Sequence, residues 1–106
     1  MPKYLVNARF TTEGAAGVVS EGGSARRDVI TKLADDLGGK VESFYFAFGD
    51  DDVVTVFDLP DNVTVAAMIM TVRARGMVNP RTTVLLTPEE VDEAARKQMS
   101  YQPPGA

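Results

Sequence analysis

The chain of 106 residues is 44% hydrophobic and 25% charged, which predicts a single globular domain with one core. Its net charge of −4 and its scattered basic residues argue against a nucleic-acid surface, which needs a dense Lys/Arg face. With neither Cys nor His in the chain, thiolate and imidazole metal ligands, cysteine nucleophiles, imidazole bases and Ser-His triads are excluded.

The first half of the chain predicts a strand followed by a broken helix. Residues 3–10 alternate between two faces, as a half-buried strand does. The pattern from Glu13 to Leu37 is helical and is interrupted at Gly22-Gly23, where Ser24 is the expected N-cap of the second segment. Gly38-Gly39 is expected to end that helix.

The second half predicts a hairpin, a helix, a strand and a short last helix. The strands are expected at 41–48 and 53–59, joined by the turn 49–52. A helix should begin at Asp61 or Asn62 and stop at Gly76. The strand 78–86 then leads to a helix ending near Lys97, whose start carries an N-cap threonine, a proline and a glutamate.

This order of elements predicts an α+β, ferredoxin-like βαββαβ fold with a short C-terminal helix and an antiparallel four-stranded sheet. We expect one domain over 1–98 and a mobile tail over 99–106, which is rich in Pro and Gly. No apolar run reaches the length of a membrane span, and the N-terminus shows no signal-peptide pattern. We therefore expect a cytoplasmic protein that contacts neither membrane nor nucleic acid.

The predicted sheet is apolar on both faces, which one layer of helices cannot cover. Strand alternation puts Phe44, Phe46 and Phe48 on one side, and Val41, Tyr45 and Ala47 on the other. In the next strand Val53 and Phe57 oppose Val54 and Val56. The helix after Asp61 is apolar around most of its axis. Because monomers rarely expose so large an apolar patch, we expect a homodimer or higher homo-oligomer, an enclosed ligand cavity, or both.

Several segments, in this order and spacing, resemble one known family. They are Glu21 to Arg27, Leu37 to Lys40, Phe44 to Phe46 followed by Gly49, Asp52 to Val54, Leu59 to Asn62, and Thr82 to Thr87. The chain resembles the GYD-domain proteins over about Tyr4 to Ala94. These proteins are grouped with the dimeric α/β-barrel superfamily. The resemblance implies two four-stranded sheets packed into a barrel across a dimer interface, and it implies no activity. The family's Gly-Tyr-Asp stretch usually has tyrosine where this chain has Asp51.

Arg26 is the leading candidate for a ligand contact. At about 100° per residue it shares a stripe with the apolar Ile30 and Leu33. A guanidinium aimed inward must meet a carboxylate or a ligand anion, because an unpaired buried charge is costly. Ser24 and the neighbouring backbone N–H groups offer an anion-binding corner. The alternative, which the frequency of structural ion pairs favours, is an Arg26 paired with the protein's own Glu or Asp.

Other polar residues have a structural and a functional interpretation each. Asp50, Asp51 and Asp52 invite a metal hypothesis, but consecutive carboxylates in a hairpin are more often a solvated turn, and no metal or cofactor is expected. Asp52, the position that the family retains, is the best of the three for a ligand or a structural role. Further polar side chains on the strands could line a barrel pocket: Tyr4, Asn7, Arg9, Tyr45 and Asp58. Arg9 and Asp58 are expected to pair.

Three functions remain open. The leading hypothesis is a homo-oligomer that binds a small organic ligand, an anion being one candidate, through Arg26, Ser24, Arg9, Tyr45 and Asp52. The second is a cofactor-independent isomerase or oxygenase of small organic acids or aromatics. The third is an interaction module whose apolar faces serve oligomerisation alone. A closed pocket lined by Arg26 with unmatched polar atoms would favour binding. Two inward carboxylates or a tyrosine close to an empty cavity would favour the enzyme, and a filled interior would favour the module.

Overall fold

The structure is a computed structural model that describes residues 1–105. Its elements, in chain order, are β1 (Lys3–Phe10), α1 (Thr12–Glu21), α2 (Gly23–Asp36), β2 (Lys40–Phe46), β3 (Val53–Asp58), α3 (Asn62–Ala74), β4 (Val78–Leu85) and α4 (Pro88–Arg96).

The four strands form one antiparallel sheet in the order β2-β3-β1-β4. The predicted α+β, ferredoxin-like fold is therefore confirmed. The alternation of β1 places Tyr4, Val6 and Ala8 in the interior. There Tyr4 and Val6 belong to a core completed by residues of α2 and α3, among them Ala34 and Met68. The helices α2 and α3 thus cover one face of the sheet, and we call the opposite face the open face.

A β-bulge in β2 changes the predicted faces of that strand. The pairing with β3 shifts between Val41 and Ser43, so an extra residue on β2 reverses the alternation beyond it. Val41 therefore packs against the core on the same side as Phe44, and its predicted place on the opposite face is wrong. The strand also ends at Phe46, before Phe48, which is fully exposed.

The start of α2 differs from the prediction, and the start of α3 is capped by one of the two predicted residues. The N-cap of α2 is Gly22, at φ 87°, and no side chain caps this helix. Ser24 lies within the first turn and is exposed, so its prediction as N-cap is wrong. At α3 the cap is Asp61, whose carboxylate accepts from the Thr64 N–H at 2.8 Å.

The last helix begins with the predicted capping box. The Thr87 hydroxyl accepts from the Glu90 N–H at 3.1 Å, and the Glu90 carboxylate accepts from the Thr87 N–H at 2.9 Å. Residues 97–105 form neither helix nor strand and are exposed. The end of the predicted tail, Ala106, lies outside the described residues. Across residues 1–105, no helix combines the length and the apolarity that crossing a bilayer requires.

Candidate functional site

A cavity of about 70 Å³ lies between the sheet and the helices that cover it. We call it the inner cavity. Its strand side includes Val6, Ala8 and Phe57, and its helix side includes Ile30, Leu33 and Met68. Among the described residues that line it, every side chain is apolar apart from Thr55 and Arg26. The Thr55 hydroxyl donates to the Ser43 carbonyl at 2.7 Å, so Arg26 is the polar group left to meet a ligand.

Arg26 stands at the edge of the inner cavity with its side chain 30% exposed. Its Nη1 lies 3.8 Å from the Glu21 carboxylate across the break between α1 and α2. This distance exceeds that of a hydrogen bond, so the pair is held by charge attraction alone. Both interpretations of Arg26 therefore apply, because it has a carboxylate partner of its own and retains N–H donors beside an apolar cavity.

Aromatic rings position the start of α2 beside the cavity. The Phe46 ring packs edge-on against Phe44, with ring centroids 5.4 Å apart, and also lies near Phe10. A Cβ atom at Gly23 would come within 2.9 Å of the Phe46 ring. A residue without a side chain at the first position of α2 thus lets Phe46 close over it, three residues before Arg26. Ser24, the predicted partner of Arg26 in an anion corner, is not among the residues that line the cavity.

Asp51 is the centre of a polar cluster at one end of the open face. Its carboxylate accepts from Asn7 Nδ2 at 2.9 Å and from Arg81 Nη2 at 2.5 Å, and it lies 3.9 Å from Arg9 Nε. The hydrogen bonds from Asn7 and Arg81 lower the pKa of the Asp51 carboxyl. Asp51 therefore serves as the shared carboxylate partner of Asn7, Arg81 and Arg9.

A second charged cluster occupies the other end of the open face. Lys3 Nζ donates to Asp58 at 2.8 Å and to Glu42 at 2.9 Å, and Lys40 lies 3.8 Å from Asp58. The hydrogen bond from Lys3 lowers the pKa of Asp58, and the bonds to Asp58 and Glu42 raise the pKa of Lys3. The predicted pairing of Arg9 with Asp58 is wrong, because Lys3 and not Arg9 lies beside Asp58 in the register of β1 and β3.

The remaining candidates have separate structural contacts. Asp52 Oδ2 accepts from the Phe10 N–H at 2.8 Å, which ties the turn to the end of β1. Tyr45 lies on the open face and is 69% exposed. The Tyr4 hydroxyl donates to Asn62 at 2.7 Å, and burial raises the pKa of this hydroxyl. These residues are spread over both faces of the sheet and do not form one site with Arg26.

The importance of Asp51 was missed at the level of the sequence. Its partners come from β1 and β4, and their closeness depends on a register that pairs Asn7 with Arg81. The sequence offered one signal, which is that Asp51 departs from the tyrosine implied there by the family resemblance. Within residues 1–105 no group of three or more carboxylates is close enough to hold a metal ion.

Comparison with known proteins adds one finding. The family model described as the GYD domain matches residues 4–95. Neither a curated protein nor a solved structure matches the chain significantly.

Proposed function

The chain belongs to the GYD-domain family, and we propose that it is a homo-oligomer that binds a short aliphatic carboxylate in the inner cavity. The observation that carries the ligand proposal is an apolar cavity with one charged lining residue, Arg26. Such a lining suits a ligand with an apolar body and a single anionic group.

The size of the inner cavity selects the apolar body of the ligand. An engineered apolar cavity of about 150 Å³ binds benzene, and the inner cavity has about 70 Å³. A short aliphatic group is therefore the better fit, with its carboxylate outside the cavity at the Arg26 guanidinium. The loose Glu21 contact at 3.8 Å leaves Arg26 donors for a charge-assisted hydrogen bond.

The lining also favours binding over catalysis. A cofactor-independent isomerase or oxygenase needs a group that moves a proton. Within residues 1–105, no carboxylate and no tyrosine lines the inner cavity. We therefore propose that the inner cavity binds a ligand and performs no reaction. An interaction module without a ligand would show itself in the test below as a protein that binds no 3-methylbutanoate.

The ligand proposal is tested with 3-methylbutanoate, using 3-methylbutan-1-ol as the uncharged probe of similar shape. We expect calorimetric binding of the acid and weaker binding of the alcohol. Arg26→Ala should weaken acid binding about tenfold or more, because a hydrogen bond to a charged group contributes about 1.5–3 kcal/mol. The matched control is Arg27→Ala, since Arg27 is exposed and contacts Asp28 at 3.5 Å. Equal binding of acid and alcohol, or an unchanged affinity in Arg26→Ala, would contradict the proposal.

The oligomer is proposed to form through the open face. Apolar residues of the open face include Leu5, Val54, Val56 and Tyr45, between the Asp51 and Asp58 clusters. The accessible surface of 7441 Å² is about 1,700 Å² larger than expected for a folded monomer of 11.4 kDa. The family resemblance, which implies face-to-face packing of two sheets, also supports a second copy as the partner.

Light scattering with size exclusion tests this partner. Tyr45→Glu should shift the protein toward the monomer mass, because it adds a charge at an exposed position of the open face. Val19→Glu, at an exposed position on α1, is the matched control and should keep the oligomer. A wild-type monomer at micromolar concentration would refute the proposed assembly.

A further inference from the structure

The helix α4 has an apolar side that nothing in its own chain covers. All nine of its residues are exposed. At about 100° per residue, Val91, Ala94 and Ala95 share one side, and most of the charged residues lie on the other. A nine-residue helix is marginal in water without tertiary packing, even with its capping box. A partner surface is therefore expected.

The helix α3 presents a surface of the matching kind. Its inner side buries Val65 and Met68. Its opposite side exposes five apolar residues in a continuous stripe, namely Val63, Ala66, Ala67, Met70 and Ala74. Val63 and Met70 are 79% and 71% exposed. We call this stripe the outer face of α3, and it is separate from the open face of the sheet.

Chain connectivity restricts how α4 could meet the α3 of its own chain. Tyr4 pairs with Val84 on β4 and bonds to Asn62, so the end of β4 lies beside the start of α3. Arg73 donates to the Pro80 carbonyl at 2.7 Å, so the end of α3 lies beside the start of β4. Only Leu86 and Thr87 separate β4 from α4, a span of about 10 Å at most. Within one chain α4 could run parallel to α3, and it cannot reach the far end to run antiparallel.

Charge favours the antiparallel arrangement, which therefore requires another chain. The acidic first turn of α4 contains Glu89 and Glu90, and its end carries Arg96. The helix α3 has Asp61 at its start and Arg75 at its end. Parallel packing would place like charges and like dipole ends together, and antiparallel packing pairs opposite ones.

We propose that α4 docks antiparallel on the outer face of α3 in a second copy of this chain. In this arrangement Val91 lies opposite Met70, and Ala94 lies opposite Ala67. A standard interface buries about 600–1,000 Å² per partner, so the surplus surface of about 1,700 Å² is enough for this contact beside the open face. The interface is independent of the sheet dimer.

Because the chain has no cysteine, disulfide trapping gives a clean test in the full-length protein. Met70→Cys and Val91→Cys proteins are mixed under mild oxidation, and the mixed disulfide is measured by mass spectrometry. We expect its yield to exceed the control by about tenfold or more, since docking raises the local thiol concentration from micromolar toward millimolar. The control mixture replaces Met70→Cys by Val19→Cys, at a site that is 87% exposed on α1.

Two further arms identify the occupant. Arg75→Glu should lower the yield several-fold, and adding Glu89→Arg to the partner should restore it. A mixed-disulfide yield equal to the control overturns the proposal. An internal disulfide in the dilute double variant Met70→Cys/Val91→Cys also overturns it, because α4 would then dock on its own chain. The trapping is repeated with Tyr45→Glu added to both cysteine variants, which removes the open-face dimer. A mixed disulfide that persists in this background shows that α4 docking does not depend on that dimer.

Discussion

The contact of Asp52 with β1 predicts a defined loss of stability. Asp52 Oδ2 accepts from the Phe10 N–H at 2.8 Å, and the Asp52 N–H donates to the Ala8 carbonyl at 2.9 Å. Asp52→Ala removes the side-chain acceptor and leaves a half-buried N–H donor without its partner. We expect a loss of about 1.5–3 kcal/mol, the range for a hydrogen bond to a charged group. Each kcal/mol corresponds to about 4–5 °C in Tm for a domain of this length.

The matched variant Asp52→Asn keeps an oxygen that can accept from Phe10 and removes only the charge. We expect it to lose less than half of what Asp52→Ala loses. Thermal unfolding followed by circular dichroism at one protein concentration measures the stability of both variants. Calorimetric titration of each variant with 3-methylbutanoate measures any role of Asp52 in ligand binding. Equal losses in the two variants would refute the assignment to a hydrogen bond. A change in ligand affinity at unchanged stability would instead make Asp52 a ligand contact.

Two other predictions follow from close contacts in the fold. Gly39→Ala should destabilise the protein by about 1–3 kcal/mol or more, the usual cost of overpacking, because its Cβ would lie 2.0 Å from the Asp58 carbonyl oxygen. The control is Gly17→Ala, where a Cβ meets no atom within 4 Å. Chemical denaturation measures both variants, and the control should not be destabilised. Asp58→Asn should be less stable than the wild type near neutral pH, and the difference should shrink as the pH falls from about 5. The folded pKa of Asp58 is lowered, so its contribution is full above the ordinary carboxyl pKa and is lost as the pH falls through the folded value. A stability difference that stays constant as the pH falls from about 7 through the folded pKa of Asp58 would contradict this role of the charge.

Much of the fold follows from local patterns in the sequence. The period-2 alternation of residues 3–10, the capping box at Thr87 and the glycines after α2 each depend on neighbours within a few residues. The strand and helix order then leaves few topologies, and the ferredoxin-like arrangement is among them. The predicted candidate Arg26 also reaches the cavity edge, because its place on the apolar stripe of α2 is a local property.

Contacts between distant segments could not be predicted in the same way. The bulge after Val41 reverses the alternation of β2, and one extra residue is invisible to a pattern count. Arg9 and Asp58 both lie on strands, yet register places them at opposite ends of the sheet. Asp51 becomes an ion-pair centre only because β1 and β4 bring Asn7 and Arg81 to it.

The sequence by itself determined the element order and the presence of apolar residues on both sides of the sheet. It also named Asp61 and Thr87 as candidate helix caps. These features depend on backbone preferences and on side-chain periodicity, which act over a turn or a strand. Only the tertiary structure decided the strand register, the partners of the charged residues and the cavity beside Arg26. Those features depend on distances between segments far apart in the chain, which the packing of the whole domain sets.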